Sequence, residues 1–254
     1  MAYLLLEEAH QVTKNFIRSF FSASLNLLFP PSCPSCMIST GKGTGYLCED
    51  CLARLQLITP PLCTCCGTPL TLGDNRLCLT CLDSPLPFQA RSCFLYQEPI
   101  STLIRQVKFT GNLTGLRSLA ALARETPAFQ NLNKPDLLLP VPLHIQRLRE
   151  RGFNQSLLLA RACFPEWKPL IRFDILKRQR STIPQTRLSG KARRNNLHKA
   201  FAIASPHLVQ GKQILLVDDV FTTGSTLREC AKILLEAGAA EITAFTIARS
   251  GVTG

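Results

Sequence analysis

Eight of the twelve cysteines in this 254-residue chain form four C-x-x-C pairs, and no other feature limits the possible folds so strongly. The pairs repeat, because a shift of thirty residues carries the first two onto the last two, and each half reads C-x2-C-x11-C-x2-C. Two such turns direct four thiolates at one tetrahedral ion and leave no position for water. The sequence therefore predicts two structural metal sites, with the ligands Cys33, Cys36, Cys48, Cys51, Cys63, Cys66, Cys78 and Cys81.

Zinc is the metal that this donor set favours, ahead of an iron or iron–sulfur site. Disulfides are the least favoured alternative, because no export signal is recognisable at the start of the chain. Two wirings remain open: a sequential form, in which each half binds its own ion, and an interleaved cross-brace, in which the middle pairs are exchanged. The sequential form is favoured because each half is locally complete and short loops cost less entropy to close.

Three regions follow one another along the chain. Residues 1–31 carry apolar residues at three- and four-residue intervals and are expected to form an amphipathic helix, which two prolines end. Residues 32–87 form the double four-cysteine zinc module. Residues 88–254 alternate apolar, β-rich runs with helical patterns, which predicts an α/β fold with a doubly wound, mostly parallel sheet.

Localisation follows from the hydropathy pattern. No stretch reaches the roughly 20 uninterrupted apolar residues that a membrane span needs, so we expect a cytoplasmic protein. Residues 1–31 are expected to pack on the rest of the chain. The alternative is a helix that contacts the inner-membrane surface or a partner protein.

The positive charge is concentrated in one tract. The chain has a formal net charge of +12, and residues 172–199 contain nine basic residues but a single acid. Such a run is either a solvated face or a surface that binds phosphates, whether of a small polyanion or of nucleic acid.

One segment carries most of the functional information. Residues 214–227 read ILLVDDVFTTGSTL: a buried strand, the acid pair Asp218 and Asp219 at its carboxyl end, and a hydroxyl- and glycine-rich loop before a helix. Ligands of open α/β sheets bind beyond the carboxyl ends of the strands, and such a loop holds a phosphate with backbone N–H groups. Two carboxylates beside it suit a sugar phosphate with a hydrated Mg²⁺ ion.

This segment resembles the phosphoribosyl-pyrophosphate (PRPP) binding signature of type I phosphoribosyltransferases. The chain as a whole resembles the ComF family of competence proteins, in which a zinc module precedes a phosphoribosyltransferase-like domain. The segments that carry the resemblance are LLFPPSCPSC (27–36), LIRQVKFTGN (103–112), LLLPVPLHIQRLRERGFNQS (137–156), RQRSTIPQTRLSGKARRNN (178–196) and the signature itself.

The resemblance implies a role for each matching residue. The acid pair would be the catalytic carboxylates and contact the ribose hydroxyls. The 5′-phosphate would be held by Thr222, Thr223, Gly224, Ser225 and Thr226. The pyrophosphate loop would comprise Val141, Pro142, Leu143 and His144, with Arg147 and Arg151 after it. A flexible loop that meets pyrophosphate or nucleic acid would supply Arg187, Lys191, Arg193 and Arg194.

Three functions remain open at this point. The resemblance favours a DNA-uptake factor in natural transformation that binds PRPP, Mg²⁺ and single-stranded DNA, together with uptake or recombination proteins. The second is an active phosphoribosyltransferase in salvage or biosynthesis, whose acceptor the sequence does not specify. The third is a zinc-dependent scaffold with a relic or sensory PRPP site. The candidate aromatic residues for stacking on DNA bases are Phe109, Phe153 and Trp167.

Overall fold

A computed structural model of the chain describes residues 30–40, 47–71, 73–74, 76–179 and 200–251. The helices are α1 (Glu49–Ala53), α2 (Leu79–Asp83), α3 (Ile100–Thr110), α4 (Leu113–Arg124), α5 (Pro127–Gln130), α6 (Ile145–Arg151), α7 (Gln155–Cys163) and α8 (Ser225–Glu236). The strands are β1 (Gln89–Leu95), β2 (Leu137–Pro140), β3 (Leu176–Arg178), β4 (Phe201–Ile203), β5 (Gln213–Phe221) and β6 (Glu241–Arg249). The described residues also contain the 3-10 helices Pro165–Leu170 and Pro206–Leu208.

The main sheet has four parallel strands in the order β1-β6-β5-β2, while β3 and β4 form a separate antiparallel pair. All four carboxyl ends therefore lie at the same edge of the sheet, where α/β proteins bind their ligands. This confirms the predicted fold class: a mostly parallel α/β sheet that follows a cysteine-rich module.

The two faces of the sheet carry separate apolar cores. Leu215 and Val217 of β5 pack with α3, α4 and α7 on one face. Ile214 and Leu216 pack with α8 and the β3–β4 pair on the other. Burial on both faces explains why β5 begins as an uninterrupted apolar run rather than an alternating one.

The strand–helix alternation predicted for residues 88–254 is present in the described residues, whereas the helix predicted for residues 1–31 lies almost wholly outside them. Three details differ from the sequence pattern. Strand β5 does not end at Val217 but continues to Phe221, because its last residues stay in register with β6. Helix α6 was not predicted as a separate element, since none of its residues is buried and its sequence lacks an apolar stripe. The segment before β3 begins as the 3-10 helix Pro165–Leu170, and Ile171 directly after it bridges to Leu138 of β2.

The cysteine-rich module repeats its backbone as well as its sequence. In each half a short antiparallel bridge, Ser32 with Ser39 or Leu62 with Pro69, encloses the first C-x-x-C turn. The third cysteine of each half then caps a short helix, α1 or α2, that contains the fourth cysteine.

The module covers the outer edge of the main sheet. The N–H of Ile58 donates to the Cys93 carbonyl (2.9 Å), and the N–H of Leu95 donates to the Gln56 carbonyl (2.9 Å). These bonds pair the edge of β1 that would otherwise be open. Within the described residues, no helix combines the length and the apolar character needed to cross a membrane.

Candidate functional site

The eight cysteines come together in two clusters. Cys33, Cys36, Cys48 and Cys51 form one cluster and Cys63, Cys66, Cys78 and Cys81 the other, and within each cluster all the Sγ atoms lie within 4.8 Å of one another. The structure therefore has the sequential wiring rather than the cross-brace.

The geometry of both clusters suits zinc. A tetrahedral ion with metal–sulfur bonds of about 2.3 Å holds its sulfurs about 3.8 Å apart. The Sγ atoms of Cys36 and Cys48 are 3.5 Å apart, and those of Cys66 and Cys78 are 3.7 Å apart. Burial raises the pKa of the Cys33 and Cys63 thiols, but backbone N–H groups directed at the sulfurs outweigh it and bring the pKa of each down to about 6. A thiolate, the form that binds metal, is thus already favoured at one position in each cluster.

The acid pair lies on the last part of β5 and is held from two sides. Asp218 Oδ1 accepts hydrogen bonds from the Ser156 hydroxyl (2.8 Å) and from the backbone N–H of Asp219 (2.9 Å). Asp219 is buried, and its Oδ2 lies 2.7 Å from Lys108 Nζ at the end of α3. The surrounding protein, and then the charge of Asp219, raise the pKa of Asp218 to about 7. Asp218 is therefore expected to titrate near neutral pH.

The hydroxyl- and glycine-containing loop at residues 222–226 begins just after the acid pair. Gly224 is the N-cap of α8 in a left-handed conformation (φ 69°), so no side chain occupies the positive end of this helix. Asp218, Thr222 and residues 224–227 line one narrow cleft. The structure thus brings together the two sets of residues that the signature predicts, a carboxylate and a loop with amide donors.

The segment after β2 forms the opposite side of the site. Val141 is buried and its N–H donates to the Val217 carbonyl (2.9 Å), which places residues 141–144 beside the acid pair. His144 is the N-cap of α6, and its Nδ1 accepts a bond from the Gln146 N–H (3.3 Å), so the structure gives it a capping contact. Arg147 is exposed on α6.

Arg151, at the end of α6, contacts two other parts of the site. Its guanidinium lies 5.7 Å from the centre of the Phe109 ring and interacts electrostatically with Asp219. Its Nη1 donates to Gln155 Oε1 (2.6 Å). Arg187, Lys191, Arg193 and Arg194, which the sequence also assigns to the site, lie outside the described residues.

The three aromatic candidates differ in accessibility. Phe109 is 72% exposed. Trp167 stacks on Phe164 with ring centroids 5.0 Å apart, and the Phe153 ring covers the backbone of Gly111. Only Phe109 among the three therefore presents an open ring.

Sequence reasoning missed Ser156 and its bond to Asp218. The available signal was the capping pattern of α7, in which the Asn154 side chain accepts from the Ser156 N–H (2.9 Å) and donates to the Val141 carbonyl (3.0 Å). Asn154 thereby ties the start of α7 to the end of β2, and the next turn brings Ser156 to the acid pair.

Comparisons with known proteins agree with this architecture. The family described as double zinc ribbon domain matches residues 24–82, and the phosphoribosyl transferase domain family matches residues 173–253. Among solved structures, the allosteric regulatory enzyme of purine biosynthesis matches at 20% identity with a TM-score of 0.31, over 52% of this chain and 24% of that chain. That score is too low to support a structural argument.

Three relatives are similar over most of their length. Competence protein F of Haemophilus influenzae is 38% identical over 161 residues, which cover 61% of this chain and 70% of the relative. DNA utilization protein YhgH of Escherichia coli K12 is 36% identical (66% and 76% covered), and competence protein ComFC of Bacillus subtilis is 32% identical (66% and 67% covered). The chain therefore belongs to the ComF family of competence and DNA-utilization proteins, in which a double zinc ribbon is joined to a phosphoribosyltransferase-like domain.

Proposed function

We propose that this protein binds PRPP with Mg²⁺ at the carboxyl end of β5 and acts on incoming single-stranded DNA. The observation that carries the proposal is the joining of two binding elements on one short segment. The Asp218–Asp219 pair leads directly into a helix start that is capped by a glycine. Carboxylates alone would repel a phosphate and amides alone would not select a sugar, whereas the two together fit a sugar phosphate.

Each part of PRPP has a matching group in this arrangement. Residues 222–226 and the first turn of α8 offer backbone N–H groups and a positive helix end to the 5′-phosphate. The carboxylates of the acid pair accept hydrogen bonds from the ribose hydroxyls. Mg²⁺, when bound, neutralises phosphate oxygens beside these carboxylates.

The pyrophosphate part needs cationic donors. Lys108 on α3 pairs with Asp219, and Arg151 on α6 interacts electrostatically with Asp219. Arg147 lies one turn before Arg151 on the same helix. Arginine matches two phosphate oxygens at once, and lysine acts as a point charge. The cations therefore balance both the carboxylates of the protein and the phosphates of the ligand.

A calorimetric titration with PRPP and Mg²⁺ tests this site. The double variant Asp218→Ala with Asp219→Ala is expected to lose binding while it keeps its fold and its zinc. The matched control is Asp136→Ala with Asp174→Ala, because Asp136 accepts from the Gln213 N–H at the other end of β5 and Asp174 pairs with Arg172 at the surface. Binding that survives in the first variant would contradict the proposal.

The DNA part rests on charge, on one open aromatic ring and on the relatives, which are named for competence and DNA utilization. Phe109 is exposed beside Arg151, and the basic tract 172–199 adds phosphate-binding charge. Bases stack on such rings without sequence preference, and phosphate contacts make the affinity fall with salt.

Fluorescence anisotropy with a labelled single strand of mixed sequence tests this part. We expect binding that weakens steeply with added salt. The variant Arg193→Glu with Arg194→Glu is expected to bind more weakly and with a shallower salt slope. Unchanged affinity of this variant at low salt would exclude the tract as the DNA contact.

A further inference from the structure

Arg249, the last residue of β6, is a buried cation. Its side chain is 6% exposed, and within the described residues it forms no ion pair with a carboxylate. Its Nε also has no hydrogen-bond partner there. Burying a guanidinium costs desolvation free energy unless a counter-charge is close. We therefore expect an anionic group beside Arg249.

Within the described structure, its guanidinium reaches the second cysteine cluster, whose thiolates would carry negative charge around a bound metal ion. Nη1 donates to the Cys66 carbonyl (2.5 Å), and Nη2 lies 3.9 Å from Cys66 Sγ. Four thiolates around one Zn²⁺ ion carry a net charge of about −2. A zinc-loaded cluster would therefore supply the counter-charge of Arg249.

The two halves of the zinc module differ at this point. In the first half Arg54 follows α1 directly, and its Nη2 donates to Cys51 Sγ (3.2 Å). Thirty residues later the equivalent position after α2 is Ser84, which has no charge. The first cluster thus has an arginine of its own, whereas the second takes its arginine from the phosphoribosyltransferase-like domain.

The other side of Arg249 faces the candidate PRPP site. Its guanidinium lies 4.7 Å from the centre of the Phe221 ring, within the range of a cation–π contact. That ring supports the phosphate loop, because a Cβ added to Gly224 would lie 2.6 Å from its Cζ atom. Cys66, Arg249, Phe221 and Gly224 therefore form one continuous path from the second cluster to the start of α8.

We infer that Arg249 is a positioning residue that couples occupancy of the second zinc site to the conformation of the loop at residues 222–226. The charged cluster fixes the guanidinium, the guanidinium holds the Phe221 ring, and the ring fixes the backbone of Gly224. Loss of this zinc leaves Arg249 without its counter-ion and loosens the loop. The effect on PRPP affinity rests on the function proposed above, whereas the effect on the loop does not.

Two equivalent cysteine variants test the coupling. Cys78→Ser and Cys48→Ser each remove the third ligand of a cluster, thirty residues apart in the repeat. Amide hydrogen exchange, followed by mass spectrometry, is expected to accelerate at least tenfold for peptides covering 222–226 in Cys78→Ser only. Wild-type protein treated with graded chelator provides a second measurement without substitution, and the loop should accelerate in step with zinc lost from the second site. Equal behaviour of the two variants, or an unchanged loop, would overturn the inference.

Three arginine variants test whether the effect depends on the contacts of Arg249 or on any contact between the zinc module and the following domain. Arg249→Met is expected to weaken zinc binding at the second site by about 10–100-fold, as is typical when a partner of a metal ligand is removed. Arg54→Met should weaken only the first site and leave the loop unchanged. Arg228→Met is the contact control, because Arg228 joins α8 to the zinc module through the Pro85 and Ser84 carbonyls (2.9 and 3.3 Å) and touches no thiolate.

The reciprocal effect on PRPP distinguishes the two proposals. Where wild type binds PRPP, Mg²⁺–PRPP should slow zinc release from the second site, and this protection should vanish in Arg249→Met. Arg249→Lys keeps the charge without the planar contact on Phe221, so it should retain zinc better than Arg249→Met but still loosen the loop. PRPP binding with identical affinity in wild type and Arg249→Met refutes the coupling. Failure of wild type to bind PRPP refutes the proposed function, and the exchange comparison then decides the coupling alone.

Discussion

Lys108 Nζ lies 2.7 Å from Asp219 Oδ2, although 111 positions separate the two residues and they belong to different elements. The contact places a positive charge directly beside the acid pair. The surrounding protein and the charge of Asp219 together raise the pKa of Asp218 to about 7, and the charge of Lys108 acts in the opposite direction. Lys108 therefore offsets part of the repulsion between the two neighbouring carboxylates.

The first prediction concerns Lys108. The change Lys108→Met removes a cation from the pyrophosphate side and leaves the Asp219 carboxylate buried without its partner. A hydrogen bond to a charged group contributes about 1.5–3 kcal/mol, so we expect PRPP affinity to fall roughly tenfold or more, measured by calorimetry.

Arg105→Met is the matched control for Lys108. Arg105 lies on the same helix but pairs with Glu98 at the surface, where both side chains are about half exposed. This control should bind PRPP as wild type does. Tighter binding by Lys108→Met would mean that the lysine competes with Mg²⁺ for Asp219 rather than assisting the ligand.

The second prediction concerns Gly224. Its φ of 69° is unfavourable for any residue with a Cβ, and the Phe221 ring occupies the space that a Cβ would need. Gly224→Ala should therefore shift the loop, lower the melting temperature and weaken PRPP binding by at least tenfold.

Gly211→Ala is the control for Gly224→Ala, because it introduces a similar backbone strain without a steric clash. Gly211 has nearly the same φ (68°), but nothing lies within 4 Å of an added Cβ. It should cost about 1–2 kcal/mol in unfolding free energy and leave PRPP binding intact. Equal stability losses in the two variants would show that the Phe221 contact yields under the added methyl group.

The third prediction concerns Phe109. Phe109→Ala should weaken single-stranded DNA binding by about 1–3 kcal/mol if a base stacks on this ring, measured by anisotropy at constant salt. Leu113→Ala is the control, because Leu113 is a similarly exposed apolar residue (58%) without a ring. Equal losses in both variants would point to general apolar contact rather than stacking.

Several features of the site were predictable from local sequence. The two clusters follow from C-x-x-C pairs at a fixed repeat, because each turn positions its own thiolates. The acid pair and the phosphate loop follow from an apolar strand that leads into Gly224 and a helix. In both cases the residues that define the site are neighbours in the chain, so the local backbone alone brings them together.

Contacts between distant segments were not predictable in the same way. Ser156 meets Asp218 across 62 positions and Arg249 meets Cys66 across 183, and these pairings depend on sheet order and on how the zinc module packs. Two weak signals existed for Arg249. The first is that a basic residue, Arg249, ends the largely buried strand β6. The second is that Ser84 occupies the position, thirty residues on, that is equivalent to Arg54 in the first half of the module.

The fourth prediction concerns the pH dependence of PRPP binding and Asp218. The ionised carboxylate is the form that accepts bonds from ribose hydroxyls, and the pKa of this residue is raised to about 7 by the surrounding protein and by Asp219. PRPP affinity should therefore fall as pH drops from 8 to 6, as Asp218 takes up a proton. Asp218→Asn should bind weakly throughout and lose this component of the pH dependence, which separates it from the titration of the ligand's own phosphates. A wild-type profile that parallels the variant would contradict the assignment.

The free energy of unfolding should change with pH in the opposite direction to PRPP affinity. Because the pKa of Asp218 is raised on folding, the native state binds more protons than the unfolded state, and ionisation of Asp218 lowers stability as pH rises through about 7. Asp218→Asn should thus melt at a higher temperature than wild type at pH 8, by about 2–4 °C for each kcal/mol gained. The gain should shrink toward pH 5, where the wild-type carboxyl is protonated as well. If the acid pair binds the proposed ligand, this loss of stability is the cost of that function. A variant less stable than wild type at pH 8 would show that the bond from Ser156 outweighs the repulsion between the carboxylates.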